Sequence, residues 1–288
     1  VSDDGACTLV VIAMLGNVFS PHYAAARKVE GAGRVDPLRF SAVNVALQGP
    51  GVRRWALTER GAGSVRRSPE RLAIGPSAVA WEGDGLSVTL DERSSPFGAH
   101  VRGTIRVTPR APFEPSFVAL DGQGRHLWTP VMPSARAEVT LDAPQLSFRG
   151  HAYVDTNAGD EPLEARFARW SWWRTGDDKG ATHVGYHAEL RSGATVDVSC
   201  RAGADGTRSS RGAGPLVPLG RTRWGVARHG ESGTRVVRTL EDTPFYARSL
   251  VRIGGALGVH ETVSLERFST WWVQRMIPYR MRREGAGL

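Results

Sequence analysis

The feature that most constrains this chain is a two-residue rhythm. Short runs that alternate apolar and polar side chains recur from end to end: SAVNVALQG (residues 41–49), LSVTLDE (86–92), HVRGTIRVTP (100–109), ARAEVTLD (135–142), THVGYHAELR (182–191), ATVDVSC (194–200) and GVHETVSLERF (258–268). Successive side chains of a strand point to opposite faces, so a period of two is a strand's period. Turn chemistry separates the runs, as in EGDG (82–85), DGQG (121–124) and RSGA (191–194), where Gly, Asp and Ser supply the backbone angles and local hydrogen bonds that reverse a chain. Long helical periodicity is almost absent. The expectation is an all-β protein of antiparallel sheets with few short helices.

Two stretches depart from that texture. SPHYAAARK (20–28) predicts a short helix, with Ser20 as N-cap and Pro21 at the first helical position. STWWVQRMIPYRMRR (269–283) joins Trp271, Trp272, Met276, Ile277, Tyr279 and Met281 to four arginines, and Pro278 stops or kinks any helix there. It suits packing across the fold or a shallow contact with a membrane interface, where aromatics beside arginines are at home. The chain shows neither a repeat of 20 to 50 residues nor a low-complexity segment. About as many strand runs precede APQLSFRG (143–150) as follow it, which predicts two β-rich domains, residues 1–148 and 149–288.

At 288 residues with 41% hydrophobic content the chain can bury one large or two ordinary cores. The longest apolar run, TLVVIAML (8–15), is far short of the roughly 18 residues a spanning helix needs and reads as a buried strand. The opening VSDDG carries no basic segment leading into an apolar stretch, so a signal peptide is not expected. Cys7 and Cys200, the only cysteines, lie far apart in strand-like surroundings and are expected as buried thiols in a reducing compartment. Net charge is +8, almost all from arginine, since Lys28 and Lys179 are the only lysines. The arginines are scattered singly along strands without a basic stripe, which argues against nucleic acid; an anionic lipid surface accounts for the same charge.

The chemistry-bearing residues concentrate in GHAYVDTNAGDEPLEARFARWSWWRT (150–175). Alternation places His151, Tyr153 and Asp155 on one strand face, with aromatics close behind. A carboxyl group in such company loses hydration, so the Asp155 pKa should rise and the group should act as an acid near neutral pH; a structural turn or an arginine partner are the other readings of this Asp. Asp160, Glu161 and Glu164 read as a charged loop or a helix start. In GRHLWTP (124–130), His126 and Trp128 share a face of a short strand. His183 and His187 share a strand face, but at about 13 Å apart by strand rise they cannot hold one metal. Phosphate-loop, nucleophile-elbow, zinc-protease and paired CxxC motifs are all missing, which leaves cofactor-free chemistry or plain binding.

At these residues the sequence resembles the carotenoid 1,2-hydratases of phototrophic bacteria. The resemblance runs along nearly the whole chain, through FSPHYA (19–24), NVALQGPGVRRWALTERG (44–61), IGPSAVAWEGDGLSVTLDE (74–92), GRHLWTPVMPSARAEV (124–139) and GHAYVDTNAGDEPLE (150–164). It implies two lipocalin-like β-barrel or sandwich domains, the first lacking an aromatic-rich opening segment. It also implies addition of water to the terminal C1=C2 bond of an acyclic carotene such as neurosporene or lycopene, with no cofactor and no metal. The family's H-x-W pattern falls on His126 and Trp128 and its Y-x-D pattern on Tyr153 and Asp155, the last matching the catalytic acid. His151, Trp170 and Trp172 are then expected to contact substrate. An enzyme drawing on so insoluble a substrate is expected to attach peripherally to the cytoplasmic side of a photosynthetic inner membrane. Two rivals remain at this point: a lipocalin-like carotenoid- or lipid-binding protein without activity, and a cofactor-free polyene isomerase or cyclase.

Overall fold

A computed structural model describes residues 1–31, 33–177, 179–210 and 214–285. Strands dominate it; the sheets are built largely of antiparallel pairs, and Arg282–Glu284 pairs in parallel with Thr58–Arg60 near the C-terminus. The alternating runs become strands almost where the rhythm places them: Ser41–Gly49 and His100–Pro109 match the sequence limits, and THVGYHAELR forms Thr182–Leu190. The hairpin joining Ser41–Gly49 to Val52–Arg60 closes on the pair Gly49 and Val52. Pro50 sets the first corner and Gly51, at φ 67, supplies the left-handed second corner.

The helix predicted from residue 20 spans Pro21–Glu30, and the Ser20 side chain accepts a hydrogen bond from the Tyr23 N–H at 3.2 Å. Such a cap stabilises a helix by about 1 kcal/mol. The run 258–268 divides: Ala256–Ser264 is strand, whereas Leu265–Phe268 turns into helix because Ser264 caps the Arg267 N–H. No helix among the described residues is long and apolar enough to cross a membrane.

Chain contacts define two compact units, and neither is one stretch of sequence. The first takes residues 1–108, 136–152 and 274–288; the second takes 109–135 and 153–273. Compared with a single cut near residue 148, residues 109–135, 149–152 and 274–288 change sides. Two long strands, His126–Ala143 and Gln145–Gly159, each contribute one end to each unit, and the C-terminal residues Arg282–Glu284 pair with Thr58–Arg60 of the first unit.

In the first unit, Thr8–Met14, Ser41–Gly49, Val52–Arg60 and Arg282–Glu284 form a four-stranded sheet in that order. Its last strand is held by Met281, buried against Ala42 and Leu57, and by Arg60, which bonds both oxygens of buried Glu92 at 2.9 and 3.0 Å and Glu284 at 2.9 Å. The end of the C-terminal stretch therefore packs within this unit. It also exposes Tyr279, 87% accessible. Cys7 is a buried thiol of this unit.

The second unit is built on a seven-stranded sheet. Its order runs Arg208–Ser210, Thr195–Ala202, Thr182–Leu190, Phe167–Gly176, Ala256–Ser264, Tyr246–Ile253, Arg235–Asp242. One face of the Phe167–Gly176 strand carries Ser171, Trp173 and Thr175, all buried. Trp173 lies opposite Gly185, where a Cβ would sit 2.2 Å from the indole; only glycine admits that ring. Cys200 is buried here as the sequence led us to expect.

Candidate active site

The other face of the same strand carries Trp170, Trp172 and Arg174, and pairing with neighbours decides what surrounds them. Trp170 lies between Ala188 and Val263, Trp172 between Tyr186 and Glu261, and Arg174 between Val184 and Val259. Residues directly opposite in adjacent strands share a face, so Tyr186 and Glu261 flank Trp172. Tyr153 and Asp155, on the strand Gln145–Gly159, and Trp128, on His126–Ala143, meet this face. The Tyr153 ring lies 5.4 Å from Trp172, and the Trp128 ring 5.8 Å from Tyr186. All of these residues belong to the second unit.

Asp155 is the point on which they converge. The Trp128 indole N–H donates to its Oδ2 at 2.8 Å, and the Tyr153 hydroxyl donates to the same oxygen at 3.1 Å. Neither bond engages Oδ1. Asp155 keeps partial access to solvent although protein surrounds it on nearly every side. Loss of hydration is the main influence on its acidity and pushes its pKa up to about 6; the Trp128 and Tyr153 bonds pull down, the Glu261 charge pushes up and Arg174 pulls down. The same loss of hydration drives the Tyr153 hydroxyl well above its ordinary range, so it remains a donor. Arg174 does not neutralise the acid by pairing: its guanidinium lies over the Tyr153 ring, 5.9 Å from the centroid.

From Asp155 a row of rings extends along the sheet. Trp170 is 6.3 Å from Tyr186 and 5.6 Å from Phe167, and Phe167 meets His126 edge-on at 4.8 Å. His126 is thus buried at the far end of the row, with Nε2 3.5 Å from Glu161, and burial pushes its pKa below the ordinary value. Glu161 is itself held by Arg125 at 3.0 Å and Arg166 at 2.7 Å. Asp160 and Glu161 accordingly lead into a single helical turn, Leu163–Arg166, which itself contains Glu164.

The sequence-derived residues Asp155, Tyr153, Trp128, Trp170, Trp172 and His126 therefore gather in one place. His151 does not join them: it falls in the first unit, where its backbone N–H bonds the Val1 carbonyl at 2.9 Å and its carbonyl accepts from the Val1 amino group at 3.0 Å. His183 bonds Ser199 at 2.8 Å and His187 bonds Asp197 at 2.7 Å, ordinary partners for strand histidines. Among the described residues no group of three His, Cys, Asp or Glu side chains is placed to hold a metal.

Sequence reasoning missed Tyr186, Glu261 and Arg248. Arg248 lies opposite Glu261 and donates to it at 2.7 Å, while its other arm donates to Glu241 at 2.9 Å. The one signal available was Glu261 standing among β-branched residues in HETVS.

The chain is 45% identical over 293 residues to the acyclic carotenoid 1,2-hydratase of Thiocapsa roseopersicina, covering 99% of this chain and 71% of that protein. It is 43% identical to the enzyme of the same name from Rubrivivax gelatinosus, over 98% and 71% of the two chains. The protein of that name from Cereibacter sphaeroides is 36% identical over 95% of this chain and 98% of its own. In fold, the chain is similar to the crystal structure of an AttH protein from Nitrosomonas europaea, with a TM-score of 0.58 and 13% identity over 78% of this chain and 81% of that one. Residues 11–287 match the family described as carotenoid hydratase CrtC, and the chain is a member of that family.

Proposed function

We infer that this chain is an acyclic carotenoid 1,2-hydratase, a hydro-lyase that adds water across the terminal C1=C2 bond of an acyclic carotene. The observation that carries the mechanism is a carboxyl group enclosed among aromatic rings and held by two neutral donors, where lost hydration pushes its pKa up to about 6. An isolated trisubstituted alkene has no carbonyl to polarise and no acidic proton, so its hydration starts by protonation of carbon. Asp155 gives the proton from Oδ1 to C2. The tertiary cation is left at C1, and water attacks there, so the hydroxyl goes to the more substituted carbon.

The surroundings favour each stage. Trp128 and Tyr153, donating to Oδ2, stabilise the carboxylate as it forms. The faces of Tyr153 and Trp172 attract a nearby cation, each worth about 0.5–2 kcal/mol in a dry site. An apolar polyene entering a recess among these rings displaces water from Asp155 and raises its pKa further, so the proton is retained until the alkene is in place. Trp170, Tyr186 and Phe167 offer a run of apolar surface for the polyene, and neutral His126 fixes the end of that row. Lipocalin-like closure of the sheet around this recess is part of the same proposal.

Such a substrate resides in a bilayer, and peripheral attachment on the cytoplasmic side of a photosynthetic membrane is proposed to supply it. Trp271 and Trp224, 71% and 45% exposed, stand in the second unit near Trp272, whose ring is 6.5 Å from that of Trp224. Aromatics and arginines together favour the headgroup level of a bilayer.

The test is product mass. Purified protein given lycopene or neurosporene in detergent should yield a product heavier by one water. A product of unchanged mass would indicate an isomerase or cyclase, and stoichiometric binding without any product a carrier. Asp155→Asn should remain folded and form no hydrated product.

A further inference from the structure

A hydration needs a proton acceptor as well as a donor, because water that attacks a cation must shed a proton. His126 is poorly suited to that task, since it packs edge-on against Phe167 at 4.8 Å and burial disfavours its protonated form. A carboxylate stands closer to the chemistry. Glu261 lies directly across from Trp172 on the face that meets Asp155, near enough for its charge to act on Asp155, Tyr186 and Arg174. Arg248 donates to its Oε1 at 2.7 Å, and the Tyr246 hydroxyl stands near the same carboxylate. Arg248 is in turn held by Glu241, and both are buried, whereas the Glu261 side chain keeps 20% of its surface. The indole N–H of Trp172, beside it, is a buried donor with no hydrogen-bond partner. A donor and an acceptor on adjacent strands are what a bound water requires.

We propose that Glu261 is the second catalytic carboxylate of this site, holding the attacking water together with the Trp172 indole N–H and taking its proton. The proposal rests on the hydratase reading and extends it. The Asp155 proton forms the C2–H bond with the π pair of the alkene, and Asp155 becomes a carboxylate. A lone pair of water forms the C1–O bond, and the oxonium proton passes to Glu261. Atoms and charge balance: the alkene gains H and OH, and the proton on Glu261 returns to Asp155 through solvent to reset the site. An oxonium on a tertiary carbon is a strong acid, so even an ion-paired carboxylate suffices to accept its proton. Before attack, the same negative charge faces the cation at C1.

The charged and titratable groups around Asp155 are Tyr153 on its own strand, Arg174, Tyr186 and Glu261 on the facing sheet, and Arg248, Tyr246 and Glu241 beyond Glu261. Of these, Glu261 opposes ionisation of Asp155, so its removal has a second readout. Glu261→Gln keeps the carbonyl oxygen that Arg248 uses, and its melting transition serves as the check on folding. The expected result is a folded protein with kcat lowered by roughly 10²–10⁴-fold, the usual contribution of a positioned base. Its rate should also begin to fall at lower pH than that of the wild type. Glu261→Asp should recover part of the rate. A folded Glu261→Gln variant with near-normal kcat and the wild-type pH profile would overturn the proposal, as would one that loses rate without any change in the profile. A wild-type chain that hydrates no carotene would sink the hydratase reading itself, and this proposal with it.

Discussion

Replacing Asp155 by Asn should make the protein more stable at neutral pH while ending its turnover. The folded state raises the Asp155 pKa from the ordinary 3.8 to about 6, chiefly through lost hydration. Below pH 4 the carboxyl is protonated in both folded and unfolded chains and costs nothing. Above pH 6 it is ionised in both, and the folded state holds the less hydrated charge. The carboxyl's contribution is therefore present at low pH and lost as pH rises through 6. A displacement of about two pH units corresponds to about 3 kcal/mol. Asparagine has a similar shape and an oxygen able to accept from Trp128 and Tyr153, yet carries no charge at any of these pH values. Urea unfolding of both proteins at pH 4, 6 and 8 should give a difference in free energy that grows with pH by up to about 3 kcal/mol in favour of Asp155→Asn. In a thermal melt at pH 8 that corresponds to roughly 5–10 °C. Any constant offset from the amide itself cancels between pH values. A difference that stays flat from pH 4 to pH 8, or that moves in favour of the wild type, would refute the claim that folding burdens this carboxylate.

The wild-type kcat/KM should fall about tenfold per pH unit above about 6, as the free enzyme loses the Asp155 proton; a profile flat to pH 8 would contradict this. Trp128→Phe removes a donor that favours the charged form of Asp155, so the alkaline fall of the rate should move to higher pH even as kcat drops. Gly185→Ala should cost about 1–3 kcal/mol of stability, because the new methyl group meets the Trp173 indole; equal urea midpoints would show that the strand yields. Trp271→Ser with Tyr279→Ser, at positions 71% and 87% exposed, should leave the melting transition in place and reduce co-sedimentation with anionic vesicles. Unchanged sedimentation would remove these two side chains from the membrane proposal.

Most of the fold was legible because strand alternation is a local property. The run 100–109 needed only its own residues to announce a half-buried strand, and Ser20 with Pro21 announced a helix start in two positions. Legibility failed where a neighbour's geometry decides. Nothing within GVHETVSLERF marks Ser264 as the point where strand gives way to a capped helical turn. The division into units was hidden for a similar reason: the strands His126–Ala143 and Gln145–Gly159 read as ordinary segments until their two ends are seen to pack in different units. At the site, the Y-x-D and H-x-W spacings carried Tyr153, Asp155, Trp128 and His126. By the same alternation His151 looked like their companion, yet it belongs to the other unit. Glu261 and Arg248 reach the site through pairing of strands roughly a hundred residues further along, a long-range relation that no short spacing encodes.

The most direct measurement is titration of the Asp155 carboxyl itself, by ¹³C NMR of aspartate-labelled protein with the Asp155→Asn variant as the blank that assigns the signal. The structure predicts a midpoint near 6 in the free protein, displaced upward when a carotene fills the recess. A midpoint near the ordinary 3.8, unmoved by carotene, would mean that this residue is already ionised when substrate arrives and is not the acid.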